Sequence, residues 1–146
     1  MRPDYLVDTS RLSAMFPGRD TLPAKLRSWV IENEHRFRLS TVVIAEIVSG
    51  AENMKRQKAF ARAAAYEDWL SRVIESFAER ILPVDIEVAY GVGRLLDEAI
   101  AIGRHPGFPD IAIAATARVH GLTVLTRNLK HFVPLKVPCL DPFKAG

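Results

Sequence analysis

The sequence predicts a three-layer α/β fold with a mainly parallel central sheet, and two observations carry that prediction. Short apolar runs alternate along the chain with longer segments whose apolar residues recur at helical spacing, the pattern of βα units with parallel strands. The runs, as in DYLVD and ILPV, are apolar at consecutive rather than alternate positions, which suits strands buried on both faces.

The elements follow in order. DYLVD reads as the first strand and FPGRD as a turn. Residues 21–34 read as a helix, with Pro23 in its first turn, where a missing N–H has no partner to lose, and with Leu26, Trp29, Val30 and Asn33 on one face. FRLST is a second strand, and Ser40 or Thr41 can cap the helix VVIAEIVSGAENM that follows it. Residues 55–80 read as one long helix carrying Phe60, Ala63, Ala64, Trp69, Leu70, Val73 and Phe77 at helical spacing. ILPV is a third strand; Asp85 then caps a helix that runs to about Ile102 and stops at Gly103. PDIAIAATARVHG is a helix with Pro109 near its start and Gly121 past its end. TVLTR is a strand, NLKHF a single helical turn, and KVPCLDP a last short strand.

The 146 residues match one domain in size. No repeat or long linker divides them, so 1–146 is read as a single domain. Hydrophobic residues at 49% and charged residues at 25% exclude a disordered chain, and no apolar run is long enough to span a bilayer. The start, MRPDYLVDTS, lacks a signal-peptide pattern because its apolar run is short and cut by Asp8. Cys139 is the single cysteine, which excludes an intrachain disulfide and a cysteine-based zinc site. A cytoplasmic protein is expected. The net charge of +3 permits an anionic partner without demonstrating one.

Four polar residues stand where a core would not place them. Asp8 ends the first apolar run, Glu46 lies inside STVVIAEIVSG with Val42, Val43, Ser49 and Gly50 at helical neighbour positions, Asp110 opens a helix apolar nearly all round, and Asn128 directly follows TVLTR. Asp8 and Asp110 each also fit a helix cap or first turn, and Asn128 alone fits a turn or cap; Glu46 lies too deep in its helix to cap it. In a right-handed parallel fold, strand ends and cleft-facing helix turns converge on one crevice. Carboxylates gathered there raise one another's pKa unless a hard cation holds them ionised. Mg2+ takes oxygen ligands and keeps several waters, so a few carboxylates and a substrate phosphate suit it. The placement thus points to metal-dependent cleavage of a phosphodiester.

Other features read more plainly. Lys55, Lys58 and Arg62 form a basic helical stretch in MKRQKAFAR, read as a solvated face in preference to an RNA contact. Arg127, beside Asn128, and Arg104, before the PGFPD turn, are better placed for phosphate. The histidines show no metal-binding spacing; Trp29 and Trp69 sit at core spacing, and Gly91 and Gly93 in AYGVGRLL are read as allowing close helix packing.

LVDTS, then STVVIAEIVSG, then PDIAIAATARVHGLTVLTRNLKHF resemble, in order and over essentially the whole chain, the PIN domain, and more closely the VapC toxins of bacterial toxin–antitoxin pairs with their FitB-like branch. The ending VPCLDPF resembles the family's close. The resemblance implies a Mg2+- or Mn2+-dependent endoribonuclease with Asp8, Glu46, Asp110 and Asn128 as the catalytic, metal-binding set. It implies that Thr126 positions a metal-bound water and that Thr9 or Ser10 supports Asp8. It also implies a homodimer, inhibited by a small VapB-like antitoxin, with operator DNA bound only through the antitoxin complex. Two departures stand out: Asn128 is neutral where many relatives carry Asp, which should weaken a second metal, and His131 stands where relatives often have Asp, expected as a surface or packing difference. Two alternatives are a catalytically weak PIN domain acting by binding RNA or a partner, and a receiver-like module. The receiver would need a lysine after a late strand, where Arg127 stands instead.

Overall fold

In the computed structural model, which describes residues 2–15 and 22–144, five short strands form one all-parallel sheet. They are β1 (Tyr5–Val7), β2 (Phe37–Ser40), β3 (Ile81–Leu82), β4 (Thr123–Leu125) and β5 (Cys139–Leu140), in the order β3-β2-β1-β4-β5. Tyr5 is in register with Phe37 on one side and Thr123 on the other, and Val7 with Leu125. Leu6, Val7, Val124 and Leu125 are all fully buried, each contributing about 1.5–3 kcal/mol on leaving water. Consecutive apolar residues therefore sit where both faces of the sheet are covered.

Seven α-helices flank the sheet among the described residues: α1 (Thr9–Met15), α2 (Ala24–Asn33), α3 (Thr41–Arg56), α4 (Phe60–Phe77), α5 (Ile86–Ala101), α6 (Phe108–His120) and α7 (Leu129–Phe132). Their ends follow local chemistry. Ser40 caps α3 by accepting from the Val42 N–H, and Asp85 caps α5 by accepting from the Val88 N–H. Gly103 and Gly121, at φ +75 and +65, close α5 and α6 in the left-handed region that glycine adopts without strain. Strands three and five are shorter than ILPV and KVPCLDP suggested. Pro23 immediately precedes α2 rather than lying inside it. The FPGRD turn and residue 21 lie outside the described residues.

The expected helix over 55–80 is shorter, because its boundary with the preceding helix lies further along the chain. α3 continues to Arg56, and α4 starts only at Phe60. Residues 55–58 are Lys-Arg-Gln-Lys, a full turn with no apolar side chain to bury, so nothing holds a continuous helix on the core there. The chain reverses through Lys58 at φ +61 and the two helices pack on each other. Lys55, Lys58 and Arg62 therefore do not share one helix face; Lys55 instead pairs with Glu52 and Glu67. Phe60 is exposed rather than packed, whereas Trp69, Leu70, Val73 and Phe77 join the core. Of the two α5 glycines, Gly91 lies against Ala115 and Val119 of α6, while a side chain at Gly93 would meet nothing. Only Gly91 answers to close packing.

The strand order creates the crevice. From β1 the sheet continues through β2 and β3 on one side and through β4 and β5 on the other, so the order reverses between β1 and β4. Open parallel sheets bind ligands beyond the carboxyl ends of strands at such a switch point. The Asp8 N–H donates to Leu125 O at 2.9 Å and the Thr126 N–H to Leu140 O at 3.0 Å, which fixes both residues at that edge.

Candidate functional site at the carboxyl edge of the sheet

Asp8 follows β1 directly and is buried, 5% exposed. Its Oδ2 accepts from Thr126 Oγ1 at 2.7 Å and from Ser10 Oγ at 3.2 Å. The capping alternative holds in its backbone: the Asp8 carbonyl accepts from the N–H groups of Arg11 and Leu12, opening α1. A seven-residue helix beginning at Thr9 thus brings Thr9 and Ser10 back over the strand end. Their hydroxyls divide the work. Ser10 serves Asp8, and Thr9 donates to Glu46 Oε1 at 2.7 Å.

Glu46 reaches the crevice because α3 buries Val42, Val43 and Ile47 beside it, which leaves its side chain on the edge nearest α1. Asp110 lies in the first turn of α6, whose following residues from Ile111 to Ala117 are all buried. Its Oδ2 stands 3.0 Å from Nδ1 of His131 on α7. His131 is therefore more than the surface or packing difference expected of it. Asn128 precedes α7 and makes no side-chain cap bond; its backbone N–H donates to Thr126 Oγ1 at 2.9 Å. Arg127 is exposed, with its N–H on Ser10 Oγ, and Arg104 lines a cavity beside Asp110.

The electrostatics join the three acids. Burial pushes the Asp8 carboxyl above its ordinary range, the Thr126 bond opposes that, and the charge of Asp110 adds to the rise. Burial likewise raises Glu46, against the Thr9 bond and with the charges of Asp8 and Asp110. A divalent cation would reverse these effects by favouring the charged forms. The donor set fits a hard, oxygen-seeking ion such as Mg2+ or Mn2+. Among the described residues, no three His, Cys, Asp or Glu side chains are gathered closely enough to grip a metal. Thr9 contacts Glu46, and His131 contacts Asp110.

One pair escaped the sequence reading. Arg11 donates from Nε and Nη2 to both oxygens of Asp141, each at 2.9 Å, and both residues are buried. This fork ties α1, which carries Thr9 and Ser10, to the end of β5. Its only sequence signal was an aspartate inside the final apolar run, the same oddity that marked Asp8.

Residues 5–133 match the family model described as the PIN domain. Ribonuclease VapC2 of Haemophilus influenzae is 30% identical over 128 residues, covering 88% of this chain and 89% of that protein. Toxin FitB of Neisseria gonorrhoeae is 29% identical over 140 residues, covering 94% and 97%. The crystal structure of FitAcB from Neisseria gonorrhoeae superposes with a TM-score of 0.73 at 26% identity, covering 96% of this chain and 99% of that one.

Proposed function

This chain belongs to the PIN-domain family, in its VapC-type branch, and from that premise we propose that it is a metal-dependent endoribonuclease, the toxin of a toxin–antitoxin pair. The observation that carries the reading is the convergence of Asp8, Glu46 and Asp110, from a strand end and two helices, into one field in which the charge of Asp110 bears on both other acids. Support for ribonuclease and toxin comes from relatives named Ribonuclease VapC2 and Toxin FitB.

Asp8, Glu46 and Asp110 would hold Mg2+ or Mn2+, with Asn128 as a neutral fourth ligand. When bound, the ion would supply an activated water and offset the charge that develops on the phosphodiester. The chain's own part is orientation. Thr126 and Ser10 hold one oxygen of Asp8, Thr9 holds one oxygen of Glu46, and His131 faces Asp110. Arg104 and Arg127 attract the RNA backbone to this edge.

A small VapB-like antitoxin is the proposed inhibitor, with operator DNA reached only through that complex. A homodimer is supported by exposed apolar side chains on α5: Ile86, Tyr90 and Ile100 are 78%, 64% and 50% exposed and share one helix face, interrupted by Asp97. The receiver alternative loses ground, because receivers order their strands 2-1-3-4-5, not β3-β2-β1-β4-β5. The test is incubation of purified protein with structured RNA in Mg2+ and in EDTA. Cleavage confined to Mg2+ supports the reading, whereas equal cleavage in EDTA removes the metal from it. Binding without cleavage in Mg2+ would favour the weak-nuclease alternative.

A further inference from the structure

A cavity of about 340 Å3 opens beside the acidic site. Its walls are the loop before α6, with Arg104 and Pro106, and the segment around α7, with Lys130, His131 and Pro134; Asp110 also lines it. That volume lies in the range of small-ligand pockets, roughly 300–1,000 Å3, and suits one nucleotide.

The cations of this cavity differ from several others among the described residues. Arg11 pairs with Asp141, Arg38 with Asp4, Lys55 with Glu52 and Glu67, Arg72 with Asp68, and Arg118 with Glu98. Among the described residues, Arg104 and Lys130 form neither an ion pair nor a hydrogen bond. Two unpaired cations thus line one cavity whose remaining lining includes the rigid rings of two prolines. Such walls take a phosphate on one side and the apolar face of a sugar and base on the other. The carboxylate in the lining sets the direction, because the same Asp110 belongs to the proposed cleavage site.

We propose that this cavity is a single-nucleotide subsite of the RNA groove. Arg104 and Lys130 take the phosphate adjacent to the scissile one, and Pro106 and Pro134 pack on the nucleoside. The assignment rests on the ribonuclease reading for its substrate class and adds a defined place for the neighbouring nucleotide.

The test measures binding apart from cleavage. Anisotropy of a fluorescent single-stranded RNA is recorded in EDTA for the wild type, the double variant R104A/K130A, and K58A/R62A, which removes equal charge from the α3–α4 turn and the start of α4. R104A/K130A is expected to weaken binding by roughly tenfold or more, and to lower the slope of log K against log salt by about 1.4, two contacts at about 0.7 each. K58A/R62A is expected to change both less. Calorimetry with the four ribonucleoside 5′-monophosphates and with inorganic phosphate is expected to show at least one nucleotide binding the wild type more tightly than phosphate, and no such binding to R104A/K130A. Equal losses of RNA affinity in the two double variants, or no preference for a nucleotide over phosphate, would overturn the subsite. Cleavage in Mg2+ by the same wild-type sample separates the questions: its absence overturns the ribonuclease reading, while the binding series decides the subsite.

Discussion

Replacing Thr126 with valine keeps the shape of a fully buried side chain and removes one hydroxyl with two duties. That hydroxyl donates to Asp8 Oδ2 at 2.7 Å and accepts from the Asn128 N–H at 2.9 Å. A hydrogen bond to a charged group contributes about 1.5–3 kcal/mol, and an N–H left without its acceptor adds about 1, so Thr126→Val should cost about 2–4 kcal/mol in metal-free buffer at neutral pH. The matching fall in Tm is on the order of 10 °C for a domain of this size. Thr116→Val is the control. Thr116 is equally buried, but its hydroxyl donates to Ala112 O within the same helix, a carbonyl that keeps its helical partner, so the loss should stay under about 1 kcal/mol. Urea denaturation of the two variants, checked for an unchanged m-value, makes the comparison. Equal losses would refute the assignment of Thr126 as the support of a buried carboxylate.

Asp8→Asn should raise stability at neutral pH without metal, by about 0.5–2 kcal/mol, while reducing RNA cleavage to background. The folded Asp8 pKa lies above its unfolded value, so the stability linked to its proton is fully present below the unfolded pKa and is lost as pH rises through the folded one. The variant's advantage should therefore close on acidification, as denaturation at several pH values would show. Asp141→Asn should behave oppositely. Burial alone would raise Asp141, but the bonds and charge of Arg11 with the Phe143 N–H hold it below its ordinary range. Breaking this buried pair should cost about 3–5 kcal/mol at neutral pH, and that difference should fade as pH falls through the folded pKa of Asp141, measured by the same denaturation series. Gly93→Ala, in a helix interior with open space at the Cβ, should add about 0.5–1 kcal/mol, read as a higher urea midpoint.

The sheet was legible, and four candidate positions could be marked, because both rest on local pattern. An aspartate ending DYLV and a glutamate deep in an apolar helix are conflicts between burial and charge that no neighbour in sequence explains. What stayed illegible depends on contacts between distant segments. Thr9 turning to Glu46, across 37 positions, and Arg11 meeting Asp141, across 130, have no periodicity that could announce them. The α3–α4 boundary was misplaced by a few residues: the sequence shows a polar turn at 55–58, but only packing of the two helices on each other turns it into a reversal. His131 was set aside because a lone histidine on an exposed turn has no local signature; its partner Asp110 lies 21 positions earlier.

The claim that Asp8, Glu46 and Asp110 form one metal site for RNA hydrolysis meets its most direct test in a Mn2+ titration. RNA cleavage and calorimetric Mn2+ binding would be followed together for the wild type, Asp8→Asn, Glu46→Gln and Asp110→Asn. The wild type should bind Mn2+ and cut RNA over the same concentration range, and each variant should lose both. Cleavage that persists in all three variants, or that proceeds without bound metal, would contradict a shared carboxylate site.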